Sequence, residues 1–187
     1  MKNIAIISAS VRNGRNSHRV ALYFKNYLTE HQLAEAQIID LKAYNFPIFE
    51  ERLRFIPNPT EAMLSLAAAV TNADGIIVVT PEYNGGYPAS LKNVTDLLYT
   101  EWKRKPIAIA TVSAGAFAGT QVMTSLQFSL WKIGALTVPA MFPVATVEKT
   151  FNESGEPIDK ETTDKRAAVF INELMWWVEA KQKMETK

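Results

Sequence analysis

The chain has 187 residues, 48% of them hydrophobic and 21% charged, the composition of one folded domain rather than of a disordered or fibrous chain. Twenty basic residues against nineteen acidic ones leave a net charge of +1, which offers no electrostatic footprint for nucleic acid or an anionic membrane. With no Cys and only two His, disulfides, thiolate nucleophiles and Fe–S clusters are excluded and a His-rich metal site is poorly supplied.

The first apolar run, Ile4–Ile7, predicts a strand. It is too short for a secretory core or for a spanning helix of ~20 residues, so a cytoplasmic protein is expected. A loop follows, and then Val20, Ala21, Phe24, Tyr27 and Leu28 recur at helical spacing within Ser17–His31. Gln37–Leu41 is short and β-rich. Thr60 is placed to cap a helix whose apolar face is Met63, Leu66, Ala67 and Val70. Gly75–Thr80 is apolar without alternation, the pattern of a parallel strand covered on both faces. Pro88 suits the first turn of a helix carrying Leu91, Leu97 and Leu98. Ile107–Val112 predicts a fourth strand, Gly119–Ile133 a helix, Leu136–Val138 a fifth strand and Asp159–Lys183 a last helix. Strands alternating with helices give an α/β fold with an open, doubly wound sheet over residues 1–187. Such sheets bind ligands beyond the C-terminal strand ends, so the loops there matter most.

After the first strand comes Ser8-Ala9-Ser10-Val11-Arg12-Asn13-Gly14-Arg15-Asn16-Ser17, leading into a helix N-terminus. Free N–H groups and the helix dipole favour an anion there. Ser10 and Ser17 can donate O–H bonds, Asn16 an amide N–H, and Arg12 a planar fork suited to phosphate. Taken singly, Ser17 reads as an ordinary N-cap and the arginines as solvated charges. Taken together after the first strand, they favour a monophosphate. Neither G-x-G-x-x-G nor G-K-[ST] is present, which points to a mononucleotide such as FMN. After the third strand, Asn84-Gly85-Gly86 permits left-handed backbone between Tyr83 and Tyr87, whose rings could flank a planar heterocycle or simply lie on the surface. Ser113-Ala114-Gly115 with Gly119 forms a third small-residue loop.

These stretches resemble the NADPH-dependent FMN reductases, which include quinone, azo-dye and chromate reductases. Ser10–Ser17 is similar to that family's phosphate loop. Thr80-Pro81-Glu82-Tyr83-Asn84-Gly85-Gly86-Tyr87-Pro88, with Leu91-Lys92-Asn93 and Asp96, resembles its most diagnostic stretch. Ser113-Ala114-Gly115 with Gly119, and Phe151-Asn152-Glu153-Ser154-Gly155, resemble its third flavin loop and its ending. The resemblance implies a single flavodoxin-like three-layer sandwich with a five-stranded parallel sheet in the order 2-1-3-4-5 and helices on both faces. It implies that Ser10, Arg12, Asn16 and Ser17 hold the phosphate of non-covalent FMN. Pro81, Glu82, Tyr83, Asn84 and Gly85 would line the isoalloxazine, and Ser113 and Gly115 would bound its other side. No side chain is then expected to do acid–base catalysis, because the flavin carries the chemistry. Glu82 is expected to serve structure or an interface.

The implied reaction passes reducing equivalents from NADPH or NADH through FMN to a small electron-poor acceptor. An electron carrier of the same fold, without NAD(P)H turnover of its own, is the alternative. Such carriers are usually strongly acidic, and a net charge of +1 disfavours one. A signalling receiver domain fits poorly, since Ser-Ala-Ser and Thr-Pro stand where it needs carboxylates. A flavin-free structural relative is a third alternative. Arg15, Arg52 and Arg54 are expected to be solvated charges, with a ribose phosphate as the less favoured role. The apolar residues of Tyr44–Phe49 and Phe55–Pro57 suggest either a contact surface or a loop folded over its own core. The resemblance implies a homodimer or homotetramer using this region.

Overall fold

The computed structural model describes residues 1–186. Five strands form at β1 (Asn3–Ser8), β2 (Glu35–Asp40), β3 (Gly75–Pro81), β4 (Pro106–Val112) and β5 (Leu136–Val144). They make one all-parallel sheet in the order β2-β1-β3-β4-β5, the arrangement of a flavodoxin-like fold. Among the described residues, α1 (Ser17–Glu30), α2 (Leu41–Tyr44), α3 (Glu61–Asn72), α4 (Ala89–Leu97) and α5 (Val122–Lys132) lie between the strands, and α6 (Val147–Thr150) and α7 (Lys160–Glu185) follow β5.

The pleat sends successive strand residues to opposite faces. Ile4 and Ile6 join a core with Val20, Phe24 and Leu28 of α1 and Phe170, Leu174 and Val178 of α7. Ala5 and Ile7 join a second core with Leu66 and Val70 of α3, Leu91 and Val94 of α4 and Leu126 of α5. Residues 75–80 of β3 and all of β4 are buried, as their unbroken apolar runs predict. Each large side chain buried this way stabilises the fold by about 1.5–3 kcal/mol relative to exposure. At Gly75 a methyl group would lie 2.8 Å from Val178 Cγ2, so the glycine lets α7 close on the sheet.

The cap expected at Thr60 forms, and Asp159 caps the last helix in the same way. Thr60 Oγ1 accepts from Met63 N (3.3 Å), and the Asp159 carboxylate accepts from Thr162 N (3.0 Å). Four expectations need correction. β5 runs to Val144 rather than Val138, because it is an edge strand and tolerates Pro139 and Pro143. It bulges there: it advances from Thr137 to Met141 while β4 advances only from Ile107 to Ile109. α5 starts at Val122 rather than Gly119, because Ala118 and Gly119 both take left-handed backbone (φ 55° and 68°). Pro88 precedes α4 rather than opening it. Leu41 starts α2 instead of ending β2, since the Asp40 carboxylate accepts from Lys42 N (3.0 Å) and caps a helical turn. The apolar loop after β2 is divided between the core and the surface. Tyr44, Phe46, Phe49 and Ile56 pack on the second core, while Ile48 and Phe55 are 87% and 56% exposed. No helix among the described residues is long and apolar enough to cross a membrane.

Candidate functional site

The sheet's order reverses between β1 and β3, so the loops leaving these two strands diverge and open a crevice. The first loop is held at its root. Ala9 N donates to Val79 O (3.0 Å), and Ser90 Oγ donates to Ala9 O (2.6 Å). Ser10 is buried, and its hydroxyl shares a 2.7 Å hydrogen bond with the Tyr83 hydroxyl, joining the first loop to the second. Arg12 is exposed, with its guanidinium 5.6 Å from the Tyr83 ring centre and no ion-pair partner among the described residues.

Ser17 is not the N-cap, and Asn16 stands in that position. Asn16 precedes α1 with helical backbone and caps nothing; its side-chain amide donates to Glu148 Oε1 of α6 (2.6 Å). Ser17 is the first helical residue, and its buried hydroxyl has no hydrogen-bond partner. A buried hydroxyl without a partner costs about 1–3 kcal/mol, so its position at the amino end of a 14-residue helix is informative. No acidic residue occupies the first turn of α1. Arg19 N donates to Asn16 O (3.1 Å), and the Ser17 hydroxyl is left for an anion from outside.

Arg15 corrects its expected role. Its guanidinium donates from both Nη atoms to the two Asp40 oxygens, and Nη1 also donates to Ser10 O (2.9 Å). It is held in an ion pair instead of standing as a solvated charge, with its side chain 13% exposed. Burial alone would raise the Asp40 pKa, but the Arg15 fork, the Lys42 N–H and His18 outweigh it and hold the carboxyl below its usual range. His18 shares a hydrogen bond with the Ser8 hydroxyl (3.0 Å), and burial beside Arg15 lowers its pKa.

The second loop satisfies itself. Tyr83 and Gly86 exchange two backbone hydrogen bonds (2.8 and 3.1 Å) around Asn84 and Gly85, both left-handed at φ 53° and 78°. This is the two-residue hairpin turn for which Asn-Gly is best suited. Glu82 Oε2 accepts from Gln121 N at the start of α5 (3.2 Å), a structural task. Tyr87 shares a hydrogen bond with Ser129 of α5 (2.8 Å). In the third loop Ser113 Oγ accepts from Gly115 N (2.8 Å). Thr146 N and Val147 N, just after β5, donate to Gly115 O and Ser113 O (3.0 and 3.1 Å).

The three loops enclose a cavity of about 460 Å³, within the range of roughly 300–1,000 Å³ usual for small-molecule sites. Ser10, Arg12, Asn16, Ser17, Pro81, Glu82, Tyr83, Ser113 and Gly115 all line it. Asn84 and Gly85 do not; they form the hairpin tip beside it. Val147 lines the cavity and Glu148 holds Asn16, and neither was foreseen. They sit on a four-residue helix with too few residues to show a period. Arg52 and Arg54 lie over the Tyr99 ring (4.4 and 5.7 Å), away from this cavity's lining. The donor set, an unpaired guanidinium and an unpartnered hydroxyl at a helix N-terminus beside a Gly/Ser-bounded slot, fits a planar ligand with a phosphate arm.

Comparison with known proteins identifies the family. The profile of the family described as NADPH-dependent FMN reductase matches residues 2–149. An NAD(P)H-dependent FMN reductase of Saccharomyces cerevisiae is 34% identical over 137 residues, 66% of this chain and 71% of that protein. An FMN-dependent NADPH-azoreductase of Staphylococcus aureus is 31% identical over 188 residues, 95% of each chain. The solved structure of a flavoenzyme NAD(P)H:acceptor oxidoreductase from Paracoccus denitrificans superposes with a TM-score of 0.77 over 96% of this chain and 98% of that one. At 21% identity that likeness speaks for the fold alone. With a profile match running from β1 into α6 and a relative alignable almost end to end, this chain belongs to the NADPH-dependent FMN reductase family.

Proposed function

We propose that this chain is one FMN-binding domain and an enzyme, passing reducing equivalents from NADPH or NADH through non-covalent FMN to a small electron-poor acceptor. A quinone, an azo compound, chromate and free flavin all belong to that acceptor class. The observation that carries this reading is the partnerless Ser17 hydroxyl at the start of α1, beside the unpaired Arg12. Bound FMN supplies the redox chemistry. The chain's part is to bind, orient and shield. Arg12, Ser17 and the first N–H groups of α1 receive the phosphate, with Ser10 and Asn16 framing it. Pro81, Glu82 and Tyr83 form one wall of the ring slot, with Asn84 and Gly85 at its rim, and Ser113 and Gly115 form the other.

The family relatives' names, which include FMN reductase, azoreductase and quinone reductase, support this acceptor class. The exposed Ile48 and Phe55, together with a largely apolar groove of about 770 Å³ that adjoins the first loop at Val11, support a homodimer or homotetramer. A cytoplasmic location accords with all of this. A monomer mass at micromolar concentration overturns the oligomer.

The deciding experiment is the visible spectrum of the protein mixed with FMN, before and after anaerobic NADPH. A bound flavin spectrum that bleaches promptly supports the enzyme. Binding without bleaching supports the electron carrier, and absence of flavin binding overturns both.

A further inference from the structure

The loop that curves around the cavity is anchored through Arg15, which lines the cavity, to Asp40, which does not. Three of the five N–H donors of Arg15 are committed: two to the Asp40 carboxylate and one to Ser10 O. The two side chains are only 13% and 24% exposed. Asp40 is the last residue of β2, in register with Ser8 of β1. It also accepts from Lys42 N (3.0 Å), and Lys42 Nζ in turn donates to Asn13 Oδ1 (2.9 Å). Residues 10, 13 and 15 of the first loop are therefore tied to residues 40 and 42, whereas Arg12, between them, has no carboxylate.

The two arginines of this loop thus have separate tasks. A bidentate guanidinium–carboxylate pair is specific in direction as well as strength, so it fixes a loop better than a point charge does. Pairing also neutralises Asp40, which would otherwise present a bare negative charge near an anion site. A loop already held in its binding shape has less ordering left to do when the ligand arrives.

We infer that Asp40 is a positioning residue for the phosphate arm of the ligand, acting through Arg15 to hold residues 10–16 in the curve that leaves Arg12 and Ser17 free for it. The inference rests on the reading of the cavity as an FMN site. Asp40 is not among the residues that line the cavity. Its removal therefore weakens ligands that carry the phosphate and spares those that lack it.

The test uses Asp40→Asn and Arg15→Lys, each first shown to melt cooperatively. The wild type and both variants are titrated with FMN and separately with riboflavin, by quenching of flavin fluorescence. The expected result is an FMN Kd raised about tenfold or more in both variants, the scale of one charge-assisted hydrogen bond. Riboflavin affinity stays within about twofold, because it makes no use of the phosphate donors. Amide exchange in ligand-free Asp40→Asn accelerates over residues 10–16 and not in β3.

An unchanged preference for FMN over riboflavin in Asp40→Asn, or unchanged exchange in the loop, overturns the inference. So does a loss of FMN affinity in Arg15→Ala that Asp40→Asn does not share, which makes Arg15 a direct ligand. A wild-type protein that binds FMN no better than riboflavin refutes the phosphate site itself, a distinct outcome.

Discussion

The loops leaving β1 and β3 border the same cavity, yet they deal with their polar groups in opposite ways. The second loop closes on itself. Tyr83 and Gly86 exchange backbone hydrogen bonds, Glu82 caps the start of α5, and Tyr87 is bonded to Ser129. The first loop leaves the Ser17 hydroxyl without a partner and Arg12 without a counter-charge, and draws its support from Asp40 and Lys42 on another element. One loop is a finished surface against which something can lie. The other is an unfinished set of donors that a ligand must complete. Buried polar groups are normally satisfied, so the unfinished region is the one whose energetics must change on binding.

The largest effect tests that asymmetry directly. Arg12→Ala weakens FMN binding by about 1.5–3 kcal/mol, the scale of a hydrogen bond to a charged group. Calorimetric titration measures it, and an unchanged affinity removes Arg12 from the site. Ser17→Ala is more discriminating, because its two consequences have opposite signs. FMN affinity falls by about 1 kcal/mol, while the ligand-free protein gains about 1 kcal/mol against urea by losing an unpartnered buried hydroxyl. If the ligand-free protein is destabilised instead, the first loop is not the unfinished one.

For the second loop, Gly85→Ala costs about 1 kcal/mol of stability, because a left-handed residue acquires a Cβ. Nothing lies within 4 Å of that added atom, so the cost is one of backbone alone. FMN affinity should move much less than in Arg12→Ala, and an equal loss would show that the hairpin tip grips the ligand.

The smallest effect concerns acid. The folded-state pKa of Asp40 lies below its ordinary value near 3.8, because Arg15, Lys42 N and His18 together outweigh the effect of burial. A depressed carboxylate pKa stabilises the fold above the ordinary value, and that contribution is lost as pH falls from about 4 through the folded-state pKa. Melting temperatures of the ligand-free protein across pH 5 to about 2.5 should therefore fall less steeply in Asp40→Asn than in the wild type.

Much of this architecture is legible in residue order because its causes are local. Ile4–Ile7 and Gly75–Thr80 announce strands by unbroken apolarity, and Thr60 announces a helix start by its side-chain oxygen. What escapes is short or distant. Helices α2 and α6 have four residues each, less than two turns and too few for a period. The length of β5 is hidden by Pro139 and Pro143, which read as breaks until the strand is known to lie at an edge. In the site, the residue types of the first loop are visible, but their division of labour is not. Arg12 and Arg15 look alike until Asp40, 25 residues later in the chain, is seen to engage one of them. The tie from Asn16 to Glu148 crosses 132 residues and leaves no local trace at all.

The two prolines of β5 have an effect beyond their own strand. Pro139 and Pro143 have no N–H to offer, and the bulge between Thr137 and Met141, which contains Pro139, breaks the regular spacing that an incoming strand would need to copy. Edge-to-edge pairing of copies through β5 into an open-ended ribbon is therefore disfavoured. Side-chain contacts, which can close on a fixed number of subunits, carry no such penalty on that side.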